Sequence, residues 1–234
     1  MLLCVRMRFT NYKMLSNNIS ESAVVASVNA LLSAYSGNSG ASIAEVRNII
    51  THSQTDFLSR SKELDAWLGK NEEFEELADI LFDLLMVQFL SAELHEEDYF
   101  DSPEWNEIEN KTLDKGSEML NLFLYLSESR ETEVEVTLDD FLHEFLLVGE
   151  DEFQDEYRIY ESLITNEDLL EVELPAIREA AKTVKADTGL QEYFVPLVMF
   201  FQQAEGVNES DLLPEGLDKF EKAILSALIA YNEF

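Results

Sequence analysis

Apolar residues recur along most of the chain at helical spacing, and the alternation typical of strands is rare. The apolar-rich stretches Ala23–Tyr35 and Thr55–Leu68 are each followed within two residues by a glycine, as is common after the last turn of a helix. Ser102-Pro103-Glu104 is typical of a helix start, because serine caps the first turn and proline suits its first position. Only Glu131–Thr137 alternates, and a single strand makes no sheet. The pattern predicts an all-α protein of about ten helices in an irregular orthogonal or antiparallel bundle, with no substantial β-sheet.

The longest predicted element is a central helix near 72–97. Asn71 precedes it as a candidate cap, and its middle is apolar on nearly every side, which indicates a helix buried among others. Shorter helices are predicted in the second half, over 137–149, 152–164, 167–185, 190–204 and 214–231.

The composition is that of a globular protein, with 46% hydrophobic residues, 15 Phe and 8 Tyr available for a core. Residues 1–14 carry three cations and no acid, and their apolar start is too short for a secretory signal. We therefore expect residues 1–19 to be disordered or to reflect a wrongly assigned start. Residues 20–234 are predicted to form one helical domain, either undivided or made of subdomains 20–130 and 137–234.

Charge narrows the classes of partner. The chain has 48 Asp and Glu against 16 Lys and Arg, a net charge of −32. Such a surface repels nucleic acids and anionic membranes and attracts basic proteins or hard cations. The apolar runs are too short to span a membrane. Cys4 is the only cysteine, so cysteine usage gives no support for an oxidising compartment, and we expect a cytoplasmic protein.

Two stretches lack Lys and Arg altogether: 14 acids lie between Lys70 and Lys111, and 11 lie within Glu131–Tyr157. We predict that these stretches bind a basic protein partner without catalysis and without a cofactor. The candidate partner-binding residues are Glu96, Glu97, Asp98, Asp101, Glu150, Asp151, Glu152 and Asp155. Two alternatives remain open, namely acids that only solvate helical faces and a structural or assembly subunit whose acidity maintains solubility.

Catalytic and metal-binding motifs are scarce. The single cysteine and the scattered His52, His95 and His143 do not have the spacing of a zinc site, and no phosphate-binding or nucleophile-elbow motif is present.

One group of acids has the spacing of a site. Glu72, Glu76, Asp79 and Asp83 are separated by four, three and four residues, which places them on one face of an α-helix. Asp83 falls where that face becomes apolar, and a buried carboxylate must be paired, protonated or coordinated. The four residues are therefore candidate ligands for Mg²⁺, with the alternative that acids gather at a helix N-terminus because the helix dipole favours them there.

The stretch Glu72–Leu85 resembles the second metal-binding helix of the MazG-type all-α nucleoside triphosphate pyrophosphohydrolases. In that family a Glu-x-x-Asp motif binds magnesium, and Glu76 and Asp79 occupy its positions here. The family adds a Glu-x-x-Glu motif on an upstream helix, where this chain has only the isolated Glu45 and Glu63. The resemblance implies a magnesium-dependent release of pyrophosphate from nucleotides as the alternative to a binding module.

Overall fold

The computed structural model of the chain describes residues 17–37, 40–52, 54–92, 94, 97–149, 152–153, 163, 167–184, 189–206 and 213–234. Within these residues there are ten α-helices: α1 (Asn17–Ser36), α2 (Gly40–Thr51), α3 (Phe57–Leu68), α4 (Ala78–Ala92), α5 (Pro103–Lys111), α6 (Met119–Thr132), α7 (Leu138–Leu146), α8 (Leu174–Ala181), α9 (Phe194–Ala204) and α10 (Lys219–Asn232). Short 3₁₀ segments cover Glu72–Leu77, Glu97–Asp101 and Glu167–Glu171. The prediction of an all-α bundle is confirmed.

Helix α4 lies at the centre of the bundle, as its apolar sequence predicts. Every side chain from Ile80 to Ser91 is buried, and α4 packs against α1, α2, α3 and α6. The bounds differ from the predicted 72–97, because Glu72–Leu77 forms a 3₁₀ segment and α4 begins only at Ala78. Asn71 makes no capping bond with its side chain, whose amide instead donates to the Trp67 carbonyl at 2.8 Å. The missing cap is consistent with the tighter first turns of this element.

The first and last helices of the described chain pack side by side in antiparallel directions. The Ser27 hydroxyl donates to the Ala227 carbonyl at 2.9 Å, and the Lys219 ammonium lies 3.4 Å from the centre of the Tyr35 ring. Residue numbers rise from Ser27 to Tyr35 on α1 and fall from Ala227 to Lys219 on α10, so the two helices run in opposite directions. Helix α10 also contacts α6, since the hydroxyls of Ser127 and Tyr231 lie 2.6 Å apart. The pairing of α1 with α10 joins residues of both predicted subdomains. Of residues 1–19, predicted to be disordered or to reflect a wrongly assigned start, only 17–19 lie within the described chain, where they begin α1.

Two short strands follow α7 where helix was predicted. Leu147–Gly149 (β1) pairs in antiparallel register with Glu152–Phe153 (β2), Leu147 opposite Phe153 and Gly149 opposite Glu152. The start of α7 follows the prediction, because the Thr137 hydroxyl accepts from the Asp140 backbone N–H at 3.1 Å. Most of the predicted helix 152–164 falls outside the described residues. Among the helices that are described, none combines the length and the apolar character needed to cross a bilayer.

Candidate functional site

The 3₁₀ segment before α4 presents carboxylates to solvent. Residues three apart share a face of a 3₁₀ helix, and here Phe74 and Leu77 occupy the buried face. The Phe74 ring packs against the rings of Tyr35 and Trp67, at centroid distances of 5.9 and 5.2 Å. The other residues of the segment are acidic and exposed, as is Asp79 in the first turn of α4. We call these five acids the acidic ridge: Glu72, Glu73, Glu75, Glu76 and Asp79.

Glu76 ties the acidic ridge to the α1–α10 pair. Its Oε2 accepts a hydrogen bond from the Tyr35 hydroxyl at 2.8 Å. Burial, and then the Glu76 carboxylate, raise the pKa of Tyr35 to about 12, so the tyrosine remains a donor at neutral pH. The Lys219 ammonium over the same ring adds a cation–π contact. The base of the ridge is thus held by contacts that leave its outer carboxylates exposed.

Asp83 and Asp79 hold the loop between α5 and α6. Asp83 is fully buried, and its two oxygens accept from the Ser117 backbone N–H at 3.0 and 3.1 Å and from the Ser117 hydroxyl at 2.5 Å. One turn earlier on α4, Asp79 Oδ1 accepts from the Gly116 N–H at 3.0 Å. Gly116 has a φ of 83°, a conformation that favours glycine. The two carboxylates therefore fix consecutive backbone groups of one loop.

The protonation of this cluster is shifted toward the neutral forms. Burial raises the pKa of Asp83 well above its ordinary value, against the lowering effect of the Ser117 hydrogen bonds, and the charges of Asp79 and Glu118 raise it further. Burial also raises the pKa of Asp79 and of Glu192, and for Glu192 the charges of Asp79 and Glu76 add to the effect. The negative charge of Asp79 thus raises the pKa of both Asp83 and Glu192.

Tyr193 is a buried neighbour of this carboxylate cluster. It is 1% exposed, and burial raises the pKa of its hydroxyl, with the charges of Asp83 and Glu192 adding to the shift. Its hydroxyl interacts with the side chain of Ser117, the residue that Asp83 binds. Tyr193 and Glu192 precede α9, more than a hundred residues after Asp83, so no local sequence pattern could have assigned them to this site.

The structure does not align the four predicted metal ligands on one face of a single α-helix. Asp79 and Asp83 lie one turn apart on α4, Glu76 lies in the preceding 3₁₀ segment, and Glu72 does not align with Glu76. Four residues along a 3₁₀ helix correspond to a rotation of about 120°, instead of about 40° in an α-helix, so Glu72 and Glu76 point in different directions.

Two of the acids considered as metal ligands, Asp83 and the upstream Glu45, already accept hydrogen bonds from protein groups. Both oxygens of Asp83 are bonded to Ser117, and Glu45 on α2 accepts from the Trp67 indole at 3.1 Å. Within the part of the chain that the structure describes, no three His, Cys, Asp or Glu side chains form a group that could hold a metal ion. The magnesium site and the pyrophosphohydrolase activity stay predictions.

The residues predicted to bind a partner lie only partly within the described chain. Asp101 is exposed, and Glu97 and Asp98 belong to the same 3₁₀ segment. Glu152 is in β2. Glu96, Glu150, Asp151 and Asp155 lie outside the described residues, so their role stays a prediction.

Several cations of the described residues are committed to particular partners. Lys115 pairs with Asp65 at 2.5 Å, and Arg178 pairs with Glu221 at 2.6 Å. The pairs Lys111–Glu107 and Lys182–Glu179 are local contacts on α5 and α8. These pairs leave most exposed carboxylates of the described chain without a matching cation, because acids outnumber bases three to one.

Comparisons with known proteins give no match: no family model, no curated protein and no solved structure is similar to the chain.

Proposed function

We propose that the chain is a non-catalytic binding module whose acidic ridge engages a basic protein partner. The observation that carries the proposal is the exposure of the five neighbouring acids of the acidic ridge, beside Phe74 and Leu77, which are buried. A clustered negative surface accelerates the approach of a basic partner and fixes its orientation. A cytoplasmic location belongs to the same proposal.

An exposed leucine beside the ridge supports the proposal. Leu113 is 73% exposed, three residues before the Gly116 N–H that binds Asp79. Three residues span at most about 11 Å, so Leu113 lies close to the acidic ridge. An apolar side chain bordered by charge is typical of interfaces in which apolar contacts supply the affinity and charges supply the specificity.

Charge reversal on the acidic ridge tests the proposal. We expect Glu73→Lys combined with Glu75→Lys to reduce the capture of basic proteins from a low-salt lysate by about tenfold, because rim charges control association. Capture by the wild-type chain should also weaken at an ionic strength of about 0.5 M, where the screening length falls to a few ångströms. The measurement is quantitative mass spectrometry of the captured proteins, sorted by isoelectric point.

A double variant at the opposite end of the α1–α10 pair provides the control. Glu21→Lys combined with Glu233→Lys changes the net charge equally at two exposed positions. It should capture the same basic proteins as the wild type. Equal losses in both double variants would show that net charge alone is responsible, and an undiminished capture by the ridge variant would contradict the proposal.

A further inference from the structure

A cleft of about 840 Å³ opens between the chain around the start of α8 and the loop before α10. Half-buried apolar side chains, those of Leu170, Val172 and Leu174, line it together with the buried Met199 of α9. Its volume is in the range of ligand-binding clefts, and its lining combines an apolar floor with charged side chains.

Hydrogen bonds hold the walls of the cleft in place. The buried side-chain amide of Gln202 donates to the carbonyls of Leu169, Leu170 and Val172, at 3.1, 3.2 and 2.7 Å. On the other wall, Arg178 donates to the Gly216 carbonyl at 2.8 Å and to both oxygens of Glu221. Polar groups of the walls are thus bonded to one another, and a ligand meets a preformed surface.

The charged residues around the cleft give it an excess of negative charge. Four exposed acids are among its described lining residues, namely Glu171, Glu173, Glu179 and Glu215. Among the described residues that line the cleft, the two cations are paired, Arg178 with Glu221 and Lys182 with Glu179. A ligand that combines cationic and apolar groups therefore complements both the charge and the floor of the cleft.

The cleft and the acidic ridge lie at the same end of the α1–α10 pair. Gly216 is three residues before Lys219, whose ammonium lies over the Tyr35 ring, and the Tyr35 hydroxyl binds Glu76. The path from Gly216 along the chain to Lys219, and then through the side chains of Lys219 and Tyr35 to Glu76, is no longer than about 30 Å. An extended peptide of about nine residues can span that distance.

We propose that the cleft binds an extended, basic segment of the same partner that engages the acidic ridge, with an apolar side chain on the floor and lysine or arginine beside the acids. This inference rests on the proposed function. A second copy of the chain is a poor occupant, because each copy carries a net charge of −32.

Two fluorescent peptides of about twelve residues, long enough to span ridge and cleft, test the inference. Both alternate lysine with a second residue, which is leucine in one peptide and serine in the other. Titrated with the full-length chain at low salt, the leucine peptide should bind about tenfold more tightly, because only its side chains gain from an apolar floor. Val172→Asn should reduce this preference, whereas Val134→Asn, at a valine that is 52% exposed elsewhere, should keep it.

The charge of the cleft is tested with Glu173→Gln combined with Glu215→Gln, which should weaken the leucine peptide more than Glu21→Gln combined with Glu233→Gln does. Equal affinities for the two peptides, or a leucine preference that Val172→Asn leaves undiminished, would overturn the cleft inference alone. Failure of the ridge double variant to weaken the serine peptide would instead count against the proposed function. Circular dichroism of each variant checks that the helices are retained.

Discussion

Asp83 shows how a single residue determines the organisation of the candidate site. Its carboxyl group is fully buried in α4 and accepts three hydrogen bonds from Ser117. A buried carboxyl without such donors costs several kcal/mol, so these bonds stabilise both the carboxyl group and the loop that supplies them. Asp83 therefore anchors the loop on which the exposed Leu113 lies.

The raised pKa values of this cluster predict that acidification stabilises the fold. Burial raises the pKa of Asp83, Asp79 and Glu192, so the folded state favours their protonated forms. Their stabilising contribution is fully present below the unfolded pKa of about 4 and is lost as the pH rises through the higher folded pKa values. We therefore expect the urea concentration at the midpoint of unfolding to decrease as the pH rises from about 4 toward neutrality.

Asp83→Asn isolates the part of this pH dependence that belongs to Asp83. Because asparagine has no proton to lose, the variant should show a smaller fall of the urea midpoint over the same pH range. Asp101→Asn, at an exposed acid, is the matched control and should follow the wild type. An Asp83→Asn variant with the full pH dependence of the wild type would show that Asp83 does not contribute.

At the scale of elements, the start of α10 links the last helix to α8. The Asp218 carboxylate accepts from the Glu221 N–H at 2.8 Å, and Glu221 accepts from the Asp218 N–H at 2.9 Å, which is a reciprocal capping box. The same Glu221 carboxylate binds Arg178 of α8. One acid thus caps a helix and fixes its neighbour.

Asp218→Ala should lower the free energy of unfolding by about 1 kcal/mol, the usual cost of losing an N-cap side chain. The measurement is urea denaturation followed by circular dichroism. Lys222→Ala, one turn into the same helix, controls for the alanine substitution and should have a smaller effect. A loss no larger than that of the control would contradict a capping role for Asp218.

Local signals account for some helix boundaries and miss others. The Ser102 hydroxyl accepts from the Trp105 N–H at 3.0 Å, as the Ser-Pro start predicts. Asp218 and Glu221 have the spacing of a capping box, yet the apolar pattern placed the helix start at Pro214. The 3₁₀ conformation of Glu72–Leu77 was not predicted, because the spacing of its acids does not distinguish a 3₁₀ segment from the first turns of an α-helix.

At the scale of the whole molecule, the net charge of −32 acts on folding and binding in opposite ways. The carboxylates repel one another in the compact state, and salt screens this repulsion. The same screening weakens attraction to a basic partner. Stability and partner affinity should therefore respond to salt with opposite signs.

We expect the thermal unfolding midpoint to rise when the ionic strength increases from about 0.02 to 0.3 M, since the screening length falls from roughly 20 Å to less than 10 Å. The measurement is calorimetry in NaCl, repeated in KCl to separate screening from specific ion binding. A midpoint that falls with salt would show that ion pairs such as Lys115–Asp65 outweigh the repulsion among acids.

The sequence by itself determined the all-α class, the burial of α4 and the excess of negative charge, because these properties follow from composition and from periodicity within one element. It also singled out Glu72, Glu76, Asp79 and Asp83, all within one short stretch of the chain. Only the tertiary structure decided that Ser117 and Gly116 bind these acids and that Glu192 and Tyr193 join them. Such partners are distant along the chain, and their contacts depend on how the helices pack.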